Sequence, residues 1–91
     1  MIEFTYRIGD SNGMHARPAG KLATYAKQFD SEIRVRMGEK EADAKRLLSL
    51  MSLGAPHGAV LHFSIKGDDE EECSRLLEEY CRGALGGETE A

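Results

Sequence analysis

A histidine stands in the stretch NGMHARP, residues 12–18, just ahead of the first helical residue and three positions before a proline. An imidazole there can fill a core, ligate a metal, shuttle a proton or act as a nucleophile. His15 precedes Ala16 and so takes the N-cap position, where Ser, Thr, Asp and Asn are preferred. A residue with poor capping quality either merely ends a loop or has another job. Taken alone, the two readings stand level. The neighbours tip the balance. Pro18 falls in the first helical turn, where its missing N–H costs nothing because that donor has no helical partner. The N–H groups of Ala16 and Arg17 are left pointing out of the helix end, which is a ready anion site. Arg17 adds a guanidinium fork suited to phosphate oxygens. The positive helix end favours the uncharged, nucleophilic imidazole. The constellation suits acceptance of a phosphoryl group on a ring nitrogen, chemistry that needs little beyond positioning and charge stabilisation. Gly13 lets the backbone pass close by.

The other candidate groups point elsewhere. His57 lies in a Pro-His-Gly loop and reads as a surface residue. His62 falls on the outward phase of a strand, with Val60 and Ser64. Neither has metal-ligand spacing to the other or to His15, so no metal site is expected, and nothing implies a cofactor. Cys73 and Cys81 are eight residues apart in one expected helix, roughly 12 Å at 1.5 Å rise per residue, too far for a disulfide with each other. No Cys-x-x-Cys motif is present. The cysteines read as reduced thiols packed like small core residues in a cytoplasmic protein.

With 91 residues, of which 41% are hydrophobic, the chain fits one small domain with a modest core. A net charge of −4 argues against a nucleic-acid binder. Acids crowd the second half, in Asp68–Glu72 and Glu78–Glu79. The first half carries Arg7, Arg17, Lys21, Lys27, Arg34, Arg36, Lys45 and Arg46, so one side can be locally basic and suit an acidic partner. No apolar run approaches the length of a membrane span, and the N-terminus lacks a signal-peptide core, so no membrane insertion is expected.

The elements that must position His15 follow from periodicity. Residues 2–8 alternate strictly and predict a half-buried strand, with Ile2, Phe4, Tyr6 and Ile8 inward. Asn12-Gly13 marks a turn. Residues 16–28 predict a helix with a stripe of Ala16, Ala19, Leu22, Ala23 and Ala26. Residues 32–37 predict a strand with Ile33, Val35 and Met37 inward, followed by a turn at Gly38 and a short strand around 40–44. Residues 45–53 predict a short helix closed by Gly54 as a left-handed cap. Residues 59–66 predict a strand with Leu61, Phe63 and Ile65 inward. Residues 68–84 predict a final helix burying Cys73, Leu76, Leu77, Tyr80, Cys81 and Ala84, with acids at its positive end. The tail, residues 86–91, is expected to be disordered, leaving a domain at 1–85. The order β-α-β-β-α-β-α, with each strand apolar on one face, predicts an α+β open-faced sandwich: a four-stranded antiparallel sheet with three helices on one face.

At this point the chain resembles a known family. Gly13-Met14-His15-Ala16-Arg17-Pro18-Ala19 is similar to the active-site signature of HPr, the histidine-containing phosphocarrier of the bacterial sugar phosphotransferase system. Met14 replaces the usual Leu or Ile, a volume-conserving change. Residues 44–54, AKRLLSLMSLG, resemble a second family motif, and the likeness runs from about residue 2 to 85. The resemblance implies that His15 accepts a phosphoryl group on Nδ1 from phospho-enzyme I, itself charged by phosphoenolpyruvate, and passes it to IIA domains of sugar transporters. It implies that Arg17 neutralises the phosphate, with Ala16 offering its N–H. It also implies transient docking of both partners through Gly20, Thr24 and Lys27 on the first helix and Leu47, Leu48 and Met51 on the second. Such a protein is a carrier whose partners supply the catalysis, not an enzyme, and is expected to be a monomer.

The residues support part of this directly. A nine-residue helix cannot bury Leu47, Leu48, Leu50, Met51 and Leu53 together, so an exposed apolar patch is expected, with Leu50 and Leu53 packing inward. One departure stands out. Many members carry a regulatory serine just after the lysine of the second motif, and here that position is Arg46, so the serine switch is expected to be absent. Arg46 beside Lys45 makes the docking rim more basic and its attraction to an acidic partner salt-sensitive. Two other readings compete. One is a regulatory HPr paralogue that signals by phosphorylation state, as in nitrogen-related branches. The other is a non-catalytic protein-binding module.

Overall fold

A computed structural model describes residues 1–91. The elements are β1 (Ile2–Arg7), α1 (Ala16–Ala26), β2 (Glu32–Met37), β3 (Lys40–Asp43), α2 (Leu47–Met51), β4 (Val60–Lys66), α3 (Glu70–Gly83) and β5 (Glu88–Glu90). The strands form one sheet in the order β3-β2-β4-β1-β5, with every neighbouring pair antiparallel. Register follows the period-two hydropathy of β1, β2 and β4. Phe63 of β4 lies opposite Phe4 on one side and Val35 on the other. The Phe4 and Phe63 rings stack with centroids 4.7 Å apart. All the inward positions of β1 and β4 from Phe4 onward are buried, and the core continues into Leu22, Leu50, Leu53 and Leu77 of the helical layer. The opposite face is polar, with His62 exposed between Thr5 and Arg36. The architecture is the expected open-faced sandwich.

The sheet has five strands rather than four. Glu88–Glu90, within the stretch read as a disordered tail, pairs with β1. Gly87 permits the approach, because a Cβ there would sit 1.9 Å from the Tyr6 ring. The Arg82 guanidinium adds a hydrogen bond of 2.8 Å to Thr89 Oγ1. An edge strand held through its backbone has no apolar alternation to advertise it.

The second helix is shorter than the expected 45–53. Arg46 has φ −124° and ψ 117°, so helical geometry cannot begin before Leu47. The Asp43 carboxylate accepts the Lys45 N–H at 2.9 Å and holds that stretch outside the helix. The far end closes in tight turns, Leu53 to Leu50 and Gly54 to Met51, with Gly54 left-handed at φ 62° as expected. α1 and α3 are likewise trimmed at their ends. Two positions of the expected helical stripes lie outward: Ala16 and Ala84 are exposed, and Leu85 fills the core beyond α3.

The acidic start of α3 has a structural task. The Asp69 carboxylate accepts N–H bonds of 2.9 Å from both Asp30 and Ser31, and the Ser31 hydroxyl also donates to it. This ties the turn after α1 to the start of α3, and with it the direction from which α1 crosses the sheet.

Candidate functional site

The loop from β1 to α1 is built to present His15. Asp10 Oδ1 accepts the Asn12 N–H at 2.8 Å, and the Gly13 N–H returns to the Asp10 carbonyl at 3.0 Å. This is the side-chain-supported turn that the Asn-Gly pair signals. Gly13 has φ 72°, and a Cβ there would lie 2.3 Å from the Ala55 carbonyl oxygen, so only glycine fits. Met14 is buried and its N–H bonds the Ala55 carbonyl at 2.9 Å, anchoring the loop to the segment after α2.

His15 then occupies the N-cap with extended backbone, φ −83° and ψ −171°, and its side chain makes no capping bond. Its carbonyl receives the first helical bond, from Ala19 at 3.0 Å. Pro18 is buried in the first turn. The N–H groups of Ala16 and Arg17 donate to nothing in the protein, and both residues are exposed. The Arg17 guanidinium has no carboxylate within ion-pair distance. Two free backbone donors and the positive helix end therefore flank the imidazole, and the unpaired cation of Arg17 belongs to the same first turn.

The imidazole is about one-third exposed, and its Nε2 lies 3.4 Å from Asp10 Oδ1. The Asn12 N–H, and after it the His15 ring, hold the Asp10 carboxyl below the usual carboxylate range, so it is anionic at neutral pH. An imidazole carrying its hydrogen on Nε2, toward Asp10, keeps its lone pair on Nδ1. Asp10 is the residue that the sequence reading missed. Its signal was the Asp-x-Asn-Gly spacing, which marks a side-chain-supported turn but does not show that the turn brings the carboxylate to His15.

The other histidines stand apart from this chemistry. His57 Nδ1 lies 3.2 Å from the Asp10 carbonyl and braces the loop from outside. His62 is on the outer sheet face. No three His, Cys, Asp or Glu side chains converge as a metal cluster would. Both cysteines are buried and free, with their thiols pushed up to about 12, chiefly by burial.

The remaining site residues fall on the exposed side of the packed α1–α2 pair. Thr24 and Lys27 are exposed, and Gly20 is half-buried with open space where a Cβ would be. In α2 and the turn that closes it the apolar residues divide as expected. Leu50 and Leu53 are buried, whereas Leu47, Leu48 and Met51 are 40%, 78% and 38% exposed. Arg46 stands exposed at the start of α2. No helix is long and apolar enough to cross a membrane.

Comparison with known proteins agrees with this geometry. Residues 2–82 match the family described as the PTS HPr component, phosphorylation site. The chain is similar to phosphocarrier protein HPr of Haemophilus influenzae, with 45% identity over 67 residues, covering 74% of this chain and 79% of that protein. It is also similar to phosphocarrier protein HPr of Neisseria meningitidis serogroup A, with 33% identity over 86 residues, covering 94% and 97%. Among solved structures, HPr-C-His from Thermoanaerobacter tengcongensis superposes with a TM-score of 0.87 at 38% identity, covering 94% of this chain and 97% of that one.

Proposed function

The chain belongs to the HPr family of phosphotransferase-system phosphocarriers, and from that premise we propose that His15 is the phosphoryl acceptor. Its donor is phospho-enzyme I, and its acceptors are IIA domains of sugar transporters. Nδ1 attacks the phosphorus as the bond from phosphorus to the donor breaks and the donor keeps the bonding electron pair. The phosphoryl oxygens meet the Ala16 and Arg17 N–H groups and the Arg17 guanidinium, donors already in place, so little reorganisation accompanies transfer. Asp10 holds the Nε2–H, which orients the ring and offsets the positive charge it gains as the new P–N bond forms. Onward transfer to a IIA domain runs the same step in reverse. The protein is a carrier rather than an enzyme, since each transfer leaves it changed until the next partner restores it. It acts as a cytoplasmic monomer that docks transiently through Gly20, Thr24, Lys27, Arg46, Leu47, Leu48 and Met51.

The observation that most supports this reading is the helix start itself: an N-cap histidine that does not cap, beside two N–H groups with no partner. The test is to incubate the protein with phosphoenolpyruvate and a bacterial enzyme I and to measure its intact mass, with His15→Ala as control. One phosphoryl group, lost in mild acid and absent from the control, is the expected result. A folded protein that gains no mass from an enzyme I able to charge another HPr would overturn it.

A further inference from the structure

Lys27 at the end of α1, Arg34 on β2, and Lys45 and Arg46 ahead of α2 come from three separate stretches of the chain. The fold brings them around one open cleft of about 800 Å³. This concentration of cations runs against the net charge of −4. The only carboxylate lining the cleft is Asp43, and its Oδ1 already accepts the Lys45 N–H at 2.9 Å. Arg34 alone among the four cations is paired, through Nε to Glu41 at 2.7 Å. Lys45 Nζ rests on the Phe29 carbonyl at 2.6 Å, which fixes the ammonium without neutralising it. Lys27 and Arg46 have no carboxylate within ion-pair distance. Ser49 accepts the Asp43 N–H through Oγ and keeps its own hydroxyl hydrogen to donate.

We propose that this cleft is a binding site for a small anion carrying two or more phosphoryl groups, separate from the His15 helix end. Three unneutralised cations exceed what one phosphate needs, and the volume falls within the roughly 300–1,000 Å³ typical of small-molecule sites. Arg46 supplies the fork geometry that phosphate oxygens match. The cleft is shallow and open, and exposed Leu47 and Leu48 form an apolar rim for the ligand's carbon skeleton. Because Arg46, Leu47 and Leu48 also belong to the proposed docking surface, an occupied cleft opposes partner docking. That consequence rests on the docking reading; the binding itself does not.

Sodium pyrophosphate titrated into the ¹⁵N-labelled full chain at low ionic strength, against a chloride control matched for sodium, tests the site. The expected result is saturable shifts at the amides of residues 27, 34, 43–49 and 52. Affinity should fall about fivefold in Arg46→Ser and in Lys27→Gln, the loss of one cation near a multiply charged ligand. It should stay unchanged in Lys66→Gln, which removes an exposed cation on β4. Non-saturating shifts, or equal affinity in the native protein and Arg46→Ser, would overturn the proposal. So would shifts at these amides with a hexaglutamate peptide but none with pyrophosphate, which would assign the cleft to protein docking.

Discussion

Replacing Gly20 with alanine should stabilise the protein by about 1 kcal/mol, the helix-interior difference between the two residues. Gly20 is the fifth of the eleven residues of α1, clear of both caps. Its missing Cβ would meet nothing within 4 Å, so the methyl neither clashes nor gains packing, and the propensity difference stands alone. For a domain of this size that corresponds to a rise in Tm of roughly 4–8 °C. Urea unfolding followed by far-UV circular dichroism checks it: the midpoint should rise and the slope should stay constant. A glycine that weakens its own helix without a packing reason in the free protein fits the proposed docking surface. The same variant should therefore accept phosphoryl from phospho-enzyme I more slowly, through a raised KM with an unchanged limiting rate, if the methyl stands on the proposed docking face. An unchanged or lower midpoint would refute the stability reasoning. A faster or unaltered transfer would remove Gly20 from the docking surface.

Further expectations concern the acceptor loop, the carboxylates, the thiols and the docking rim. Asp10→Asn keeps an oxygen to accept the Asn12 N–H but loses the anion beside Nε2, so far-UV and thermal behaviour should persist while the phosphorylation rate falls several-fold; an undiminished rate would remove Asp10 from the mechanism. Asp10, Asp69 and Glu70 are held below the ordinary carboxylate values of 3.8 and 4.5 by the Asn12 N–H, by the Ser31 hydroxyl with the Asp30 N–H, and by the N-terminal amine with the Gly67 N–H. Each binds its proton more weakly folded than unfolded, so their contribution is complete above the ordinary range and is lost as pH falls through it and below. Urea midpoints should accordingly be flat near neutrality and decline in acid, less steeply in Asp69→Asn. Cys73 and Cys81, with thiols pushed up to about 12 by burial, should resist a disulfide reagent at pH 8 in the native state and both react in urea. Added salt should weaken docking to an acidic partner, and less so in Arg46→Ser, as affinity measurements across ionic strength would show.

The sequence by itself singled out His15 as the candidate acceptor. A poor capper at an N-cap, a proline in the first turn and an arginine beside it are local features, and the directions of the free N–H groups follow from helix geometry without knowledge of any distant residue. The same holds for the strands: Phe4, Tyr6, Val35, Leu61 and Phe63 alternate strongly enough to set both fold class and register. Leu50 and Leu53 were separable from the exposed Leu48 because a helix that short has only one buried face. Only the tertiary structure decided the rest. It brought Asp10 to His15, since the path of a five-residue turn depends on the Met14 anchor to Ala55, more than forty residues away. It placed β5 on the sheet, because an edge strand pairs through backbone groups that every sequence carries. It shortened α2, through the grip of Asp43 on Lys45. And it gathered Lys27, Arg34 and Arg46 around one cleft, since charge carries no periodicity that foretells which helix end will meet which strand.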